Sequence, residues 1–140
     1  MDGDGLDRLT ILLIEEDDDT RCIMKRNLQR EGYRVLLAVD EQDALERVGD
    51  GHVGAHLLLV NLVGKAPEEM LTFGRTVRRH GHYDDWTPLV VIAEKYGKDV
   101  EGTDVNVCDN DWITYLEEPN QLNNLLARLL QPTLIDISQK

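Results

Sequence analysis

The stretch that most constrains the fold is Leu57-Leu58-Leu59-Val60-Asn61, set within Ala55 to Lys65. Gly54 and Gly64 bound it, and a short unbroken apolar run of this kind suits a strand buried on both faces, as in a parallel sheet covered by helices. In such sheets, ligands and chemistry lie just beyond the carboxyl ends of the strands. The run therefore delivers one polar side chain, Asn61, to the place where an active residue is expected, and that residue is an amide.

Comparable runs recur along the chain. Leu9 to Ile14 leads into the acidic Glu15-Glu16-Asp17-Asp18-Asp19, Val35 to Val39 follows, and Pro88 to Ala93 and Trp112 to Leu116 complete five strand candidates. Helical spacing appears between them. Ile23, Met24 and Leu28 stripe a segment from about Thr20 to Glu31 that Gly32 ends, with Asp18 or Asp19 as its cap; Ala44, Leu45 and Val48 follow Asp40 and Asp43, placed as a capping pair. Pro67-Glu68-Glu69 starts a third helix with Met70, Phe73 and Val77 on one face and Gly81 at its end. Leu122, Leu125, Leu126, Leu129 and Leu130 stripe a last one.

The span from Glu94 to Asp111 breaks the alternation. Gly97, Asp99, Gly102, Asp104, Asn106, Asp109 and Asn110 are weak helix formers, while Val105 and Val107 alternate as in a strand, so a short, distorted or partly non-helical connection is expected. The whole reads as an α/β fold: a flavodoxin-like, doubly wound, five-stranded parallel sheet in a three-layer sandwich with an irregular fourth helix region.

Composition narrows the function. With 15 basic against 27 acidic residues, the net charge is −12, which argues against nucleic-acid binding because phosphate contacts need clustered Lys and Arg. The basic run Arg75 to His80 is explained by the carboxyl end of a helix, which favours cations. No apolar run approaches the roughly 18 residues needed to span a bilayer, and the first residues lack the basic and apolar regions of a signal peptide, so the expectation is a cytoplasmic protein without membrane contact. Cys22 and Cys108 read as reduced structural thiols, and the scattered His52, His56, His80 and His82 as surface or loop residues without a metal. Trp86 and Trp112 read as partly buried packing residues, with an interface role as the alternative.

Taken in order, Ile11 to Arg21, Arg30 to Val35, Asp40 to Leu45, the strand ending at Asn61, Pro88 to Ala93 and Tyr115 to Pro119 resemble a response-regulator receiver domain. The resemblance covers roughly residues 9–131, leaving 1–8 as a flexible N-terminus and 132–140 as a tail or linker stub. It implies roles position by position. The acidic pair after the first strand, which binds Mg²⁺ in a working receiver, is matched by Glu15 and Glu16. The phosphoacceptor Asp at the end of the third strand is matched by Asn61, which lacks the carboxylate oxygen that attacks phosphorus. The hydroxyl residue ending the fourth strand is matched by Ala93, the Lys before the Pro after the fifth strand by Glu118, and the aromatic switch by Tyr115. Lys65 stands where a Pro is usual over the pocket, and the altered span from Glu94 to Asp111 covers the usual output or dimer face.

The expectation is therefore a degenerate receiver: a non-enzymatic, phosphorylation-independent interaction or regulatory module in two-component-type signalling, monomeric or homodimeric, meeting a signalling protein or a fused kinase or output domain. The alternatives are a sensor binding a divalent cation or small ligand in the acidic pocket and, with less support, a conventional phosphorelay receiver using another acceptor such as Asp17 or Asp18. In the geometry that the resemblance implies, Glu15, Glu16 and Glu118 would surround Asn61, and two like charges about 4 Å apart would repel by about 4 kcal/mol in an effective dielectric near 20. A weakly held Mg²⁺ on Glu15, Glu16 and Asn61, a protonated Glu, outward rotation, or Lys65 or Lys95 swinging in would each relieve this. Outward rotation or a local Lys is preferred, because Mg²⁺ tolerates poor octahedral geometry badly.

Overall fold

A computed structural model describes residues 8–49, 53–94 and 96–130. The proposed N-terminal and C-terminal segments, apart from Arg8, and the residues Lys95 and His52 lie outside this set. The elements in chain order are β1 (Thr10–Glu15), α1 (Asp18–Arg30), β2 (Arg34–Ala38), α2 (Glu41–Val48), β3 (Leu57–Asn61), α3 (Pro67–His80), β4 (Leu89–Ala93), β5 (Asp104–Cys108), β6 (Asp111–Tyr115) and α4 (Pro119–Leu130). They form one sheet in the order β2-β1-β3-β4-β6-β5. All pairings are parallel except β5 with β6.

Side-chain alternation along the strands sorts the core into two layers. Leu12, Ile14, Leu58, Val60, Val91 and Ala93 pack against α2 and α3; Ile11, Leu13, Leu57, Leu59, Val90 and Ile92 pack against α1 and α4. Strands β1, β3 and β4 are buried throughout, which is why their sequences are unbroken apolar runs.

Local chemistry sets the helix ends. Asp17, rather than Asp18 or Asp19, caps α1, its side chain accepting from the Thr20 N–H at 2.8 Å. Asp40 accepts from the Asp43 N–H at 2.8 Å, while the Asp43 carboxylate reaches back to the Val39 N–H at 2.9 Å, a capping-box-like pair shifted to the residue before the cap. Pro67 begins α3 and Gly81 ends it.

The fold departs from a five-stranded parallel sheet at the irregular span. Among the described residues no helix links β4 to β6 there. The backbone instead turns at Gly102, with φ at +79°, and runs back as β5, an antiparallel edge strand with an irregularity between Asn106 and Cys108. A five-residue strand carrying Asp104 and Asn106 has a weak strand signal, and antiparallel pairing with β6 holds it in the sheet. Among the described residues its outer edge has no neighbouring strand, and Val105 and Val107 are 40% and 44% exposed. Trp86 is 70% exposed, against the packing role expected of it, and Cys22 and Cys108 are free and exposed rather than buried in the core. No helix among the described residues is long and apolar enough to cross a membrane.

Candidate functional site

Parallel register sets Glu15 directly opposite Asn61 at the carboxyl ends of β1 and β3. Both are buried, at 0% and 5% exposure, and the alternation of their strands turns both toward the α1/α4 layer. The Asn61 Nδ2 donates to Glu15 Oε1 at 2.7 Å, and the Asp17 N–H donates to Glu15 Oε2 at 3.1 Å. Arg21 stands nearby, but its Nη1 donates to the Glu15 backbone oxygen at 2.8 Å and its Nη2 pairs with Asp18. Burial pushes the Glu15 carboxyl above the ordinary value of 4.5; the Asp17 and Asn61 hydrogen bonds oppose this shift, and the charges of Glu94 and Asp17 add to it.

This shift has a definite sign in stability. A carboxyl raised in the folded state contributes stability that is fully present below its unfolded value and is lost as pH rises through the folded one. Asp17 and Asp43 act in the opposite sense: N–H groups of Thr20 and Val39 hold them below 3.8, so their contributions exist above 3.8 and fade as pH falls through the depressed values. In urea unfolding of Glu15→Gln against wild type, the difference in stability is expected to move in favour of the variant as pH rises from 4.5. A difference that stays flat with pH would show that Glu15 carries no raised pKa.

Glu16 and Glu118 do not join Glu15. Glu16 turns away, its Oε1 accepting from the Val63 N–H at 2.7 Å and tying the loop after β1 to the loop after β3. Glu118 is exposed. Outward rotation thus separates the like charges. Lys65 does not supply a replacement cation; its Nζ lies 4.0 Å from Glu41 Oε1 on the outer surface. The donor set is a poor fit for Mg²⁺. Both Glu15 oxygens and one Glu16 oxygen already accept N–H groups, which leaves no convergent cluster of free oxygens, and among the described residues no group of three His, Cys, Asp or Glu is placed to hold a metal. Among the described residues the Asn61 Oδ1 is buried without a hydrogen-bond partner.

Ala93 is buried on the other face of the sheet, opposite Tyr115 in register. Tyr115 is half-buried and packs on the core that includes Ala93, with the Tyr96 ring edge-on at 5.5 Å and 80°. The Tyr96 hydroxyl donates to the Leu116 backbone oxygen at 2.6 Å, so Tyr115 is flanked by a fixed aromatic neighbour. Trp112 is half-buried on the opposite layer beneath the Arg128 guanidinium, 5.3 Å from the ring centroid. His56 has a structural part, its Nδ1 accepting from the Thr10 N–H at 2.9 Å.

Sequence reasoning passed over Tyr96, the Asp17 cap and the ion pairs of Asp111. Asp111 is 3% exposed and binds Arg75 Nε at 2.7 Å and Arg78 Nη1 at 2.8 Å. The basic run on α3 therefore anchors the start of β6, beyond any interaction with its own helix dipole.

The same architecture recurs among solved structures. The chain superposes on a response regulator receiver protein from Sinorhizobium medicae WSM419 with a TM-score of 0.66 at 20% identity, covering 90% of this chain and 97% of that one. The chemotaxis protein CheY4 of Vibrio cholerae gives 0.65 at 19% identity over 88% and 99%. This is a receiver-type fold. The receiver domain of the sensor histidine kinase PA1611 from Pseudomonas aeruginosa PAO1, solved with a magnesium ion coordinated in its active site cleft, gives 0.61 at 18% identity over 87% and 97%. No protein-family model matches the chain. A curated relative, the uncharacterized transcriptional regulatory protein YkoG of Bacillus subtilis (strain 168), is 26% identical over 119 residues, 85% of this chain. The chain spans about half the length of that relative, 48%.

Proposed function

We propose that this receiver-type domain is a phosphorylation-independent interaction module of a signalling protein, with no phosphoryl chemistry of its own. One observation carries the reading: the carboxyl end of β3 presents an amide that is already hydrogen-bonded to the buried Glu15 carboxylate. An acyl phosphate requires a carboxylate oxygen as nucleophile, and a phosphoryl dianion requires nearby cations. Asn61 offers no carboxylate oxygen to attack phosphorus, and its Nδ2 already donates to Glu15; Ala93 has no hydroxyl, and Glu118 brings negative charge. Asp17 and Asp18 are poor substitutes as acceptors, since Asp17 caps α1 and Asp18 pairs with Arg21.

The partner contact belongs at the β5 edge. Strand addition there would satisfy its outward backbone groups and cover Val105 and Val107. Asp99, Glu101 and Asp109 in the turns on either side of β5 favour a partner segment carrying Lys or Arg, and the net charge of −12 opposes a second copy of the same chain.

Incubation with acetyl phosphate and Mg²⁺, followed by intact-mass measurement, is expected to leave the mass unchanged. A stoichiometric phosphoryl adduct released by hydroxylamine would overturn the reading.

A further inference from the structure

We propose that the cleft between α1 and α4, at the carboxyl ends of β3 and β4, is a binding site for a small organic cation: a compact apolar body bearing a protonated amine. The cleft has a volume of about 310 Å³. That is at the small end of the roughly 300–1,000 Å³ typical of small-molecule sites. Its walls are built by periodicity. Met24 and Leu28 lie one turn apart on α1, Ile92 comes from β4 on the same face as Asn61, and Leu122 comes from the first turn of α4. These side chains make an apolar floor that a hydrated metal ion would not need.

The polar lining sets the charge of the occupant. Glu117 and Glu118 are the charged side chains among the described residues that line the cleft, and both are acidic. Asn61 lines it too, is 5% exposed, and keeps one buried acceptor, Oδ1, without a partner. A buried acceptor left without a hydrogen bond is destabilising, so a ligand or small rearrangement that brings an N–H to this end is favoured. Two carboxylates and an unpartnered carbonyl oxygen call for donors and positive charge, while an anion meets repulsion from the rim and from the whole acidic chain. The cleft lies in the α1/α4 layer, and no residue of β5 is among those that line it. A failure to bind amines therefore leaves the phosphorylation-independent reading intact, and a phosphoryl adduct leaves the cleft intact.

The test is a titration of the full chain, followed by nitrogen-15 correlation spectra, with three probes that share a phenylethyl body: phenethylamine, phenethyl alcohol and hydrocinnamate. Phenethylamine is expected to give saturable shifts at the Asn61 side-chain amide and at the backbone amides of Met24, Ile92 and Leu122. A probe of this size corresponds to a dissociation constant on the order of 1 mM. The alcohol should bind more weakly and the anion should give no saturable shift. Glu118→Gln, at an exposed position, should weaken phenethylamine about 2- to 5-fold, the range expected of a solvent-screened ion pair. Met24→Trp should fill the cleft and abolish the shifts. Shifts that are absent up to about 20 mM, about twenty times the expected constant, would overturn the proposal. So would shifts scattered over other faces, shifts equal for the three probes, or shifts unchanged in Glu118→Gln.

Discussion

Replacing Asn61 with Asp is expected to lower stability by about 2–4 kcal/mol near neutral pH, the order of cost of leaving buried charge uncompensated. The reason lies in one contact. Asn61 Nδ2 donates to Glu15 Oε1 at 2.7 Å, and both residues are buried. In Asn61→Asp the donor becomes a second carboxylate oxygen at the same place. Two carboxylates this close either share a proton or force one side chain out of the core. The variant's pair would hold its shared proton to higher pH than an isolated carboxyl. By linkage, the deficit should be largest near neutrality and should shrink as pH falls through the pair's upper apparent pKa. Mg²⁺ should also reduce the deficit in the variant, since the introduced carboxylate and that of Glu15 would present oxygens for a cation to join. Urea denaturation at several pH values, with and without Mg²⁺, measures both effects. Equal stability of variant and wild type at neutral pH would show that Asn61 and Glu15 are not in contact.

The second large effect is expected at Asp111, far from the carboxyl ends of the strands. Asp111→Ala should cost about 2–4 kcal/mol, somewhat less than the roughly 3–5 kcal/mol typical of breaking a fully buried pair. The discount reflects unequal burial of the two partners: the Arg78 side chain is 14% exposed and the Arg75 side chain 41%. Without the carboxylate, Arg78 keeps only the Thr87 backbone oxygen, which its Nη1 reaches at 3.0 Å. Arg75→Ala is expected to cost less than about 1 kcal/mol, because that half of the network is screened by solvent. Chemical denaturation of both variants separates the contributions. Equal losses for the two would contradict the assignment of Asp111 as the buried anchor.

The contrast between Asn61 and Asp111 shows what was legible in the sequence. Asn61 could be placed because strand periodicity and parallel-sheet geometry fix where a residue at the end of an apolar run must lie. The Asp40 and Asp43 caps, the Pro67 start and the Gly81 end of α3 were legible for a similar reason, since local hydrogen-bond demand fixes residue types within a few positions. Asp111 was not legible. Its partners are 36 and 33 residues away on α3, and a basic run at a helix end already has a local explanation.

Glu15 and Glu16 mark an intermediate case. Their charge showed that a conflict had to be relieved, but adjacent residues in a strand and loop can each turn either way. Only the positions of the Asp17, Asn61 and Val63 hydrogen-bond donors decide that Glu15 stays in and Glu16 turns out. Lys65, expected over the pocket, is instead placed beside Glu41 on the surface. The β5 strand was visible only as the alternation of Val105 and Val107, because polar residues and an irregular register dilute the pattern of an edge strand. Burial of a lone Trp in a loop, such as Trp86, has no periodic signal at all.

On the proposed reading, the carboxyl ends of β1 and β3 meet in an amide–carboxylate pair, Asn61 with Glu15, rather than in a phosphoryl site. Beryllium fluoride with Mg²⁺ mimics a phosphoryl group bound to a carboxylate, so its titration into the nitrogen-15 labelled chain probes that claim most directly. No saturable change is expected at Asn61, Ala93 or Tyr115. Saturable shifts spreading from Asn61 to Tyr115 would contradict it.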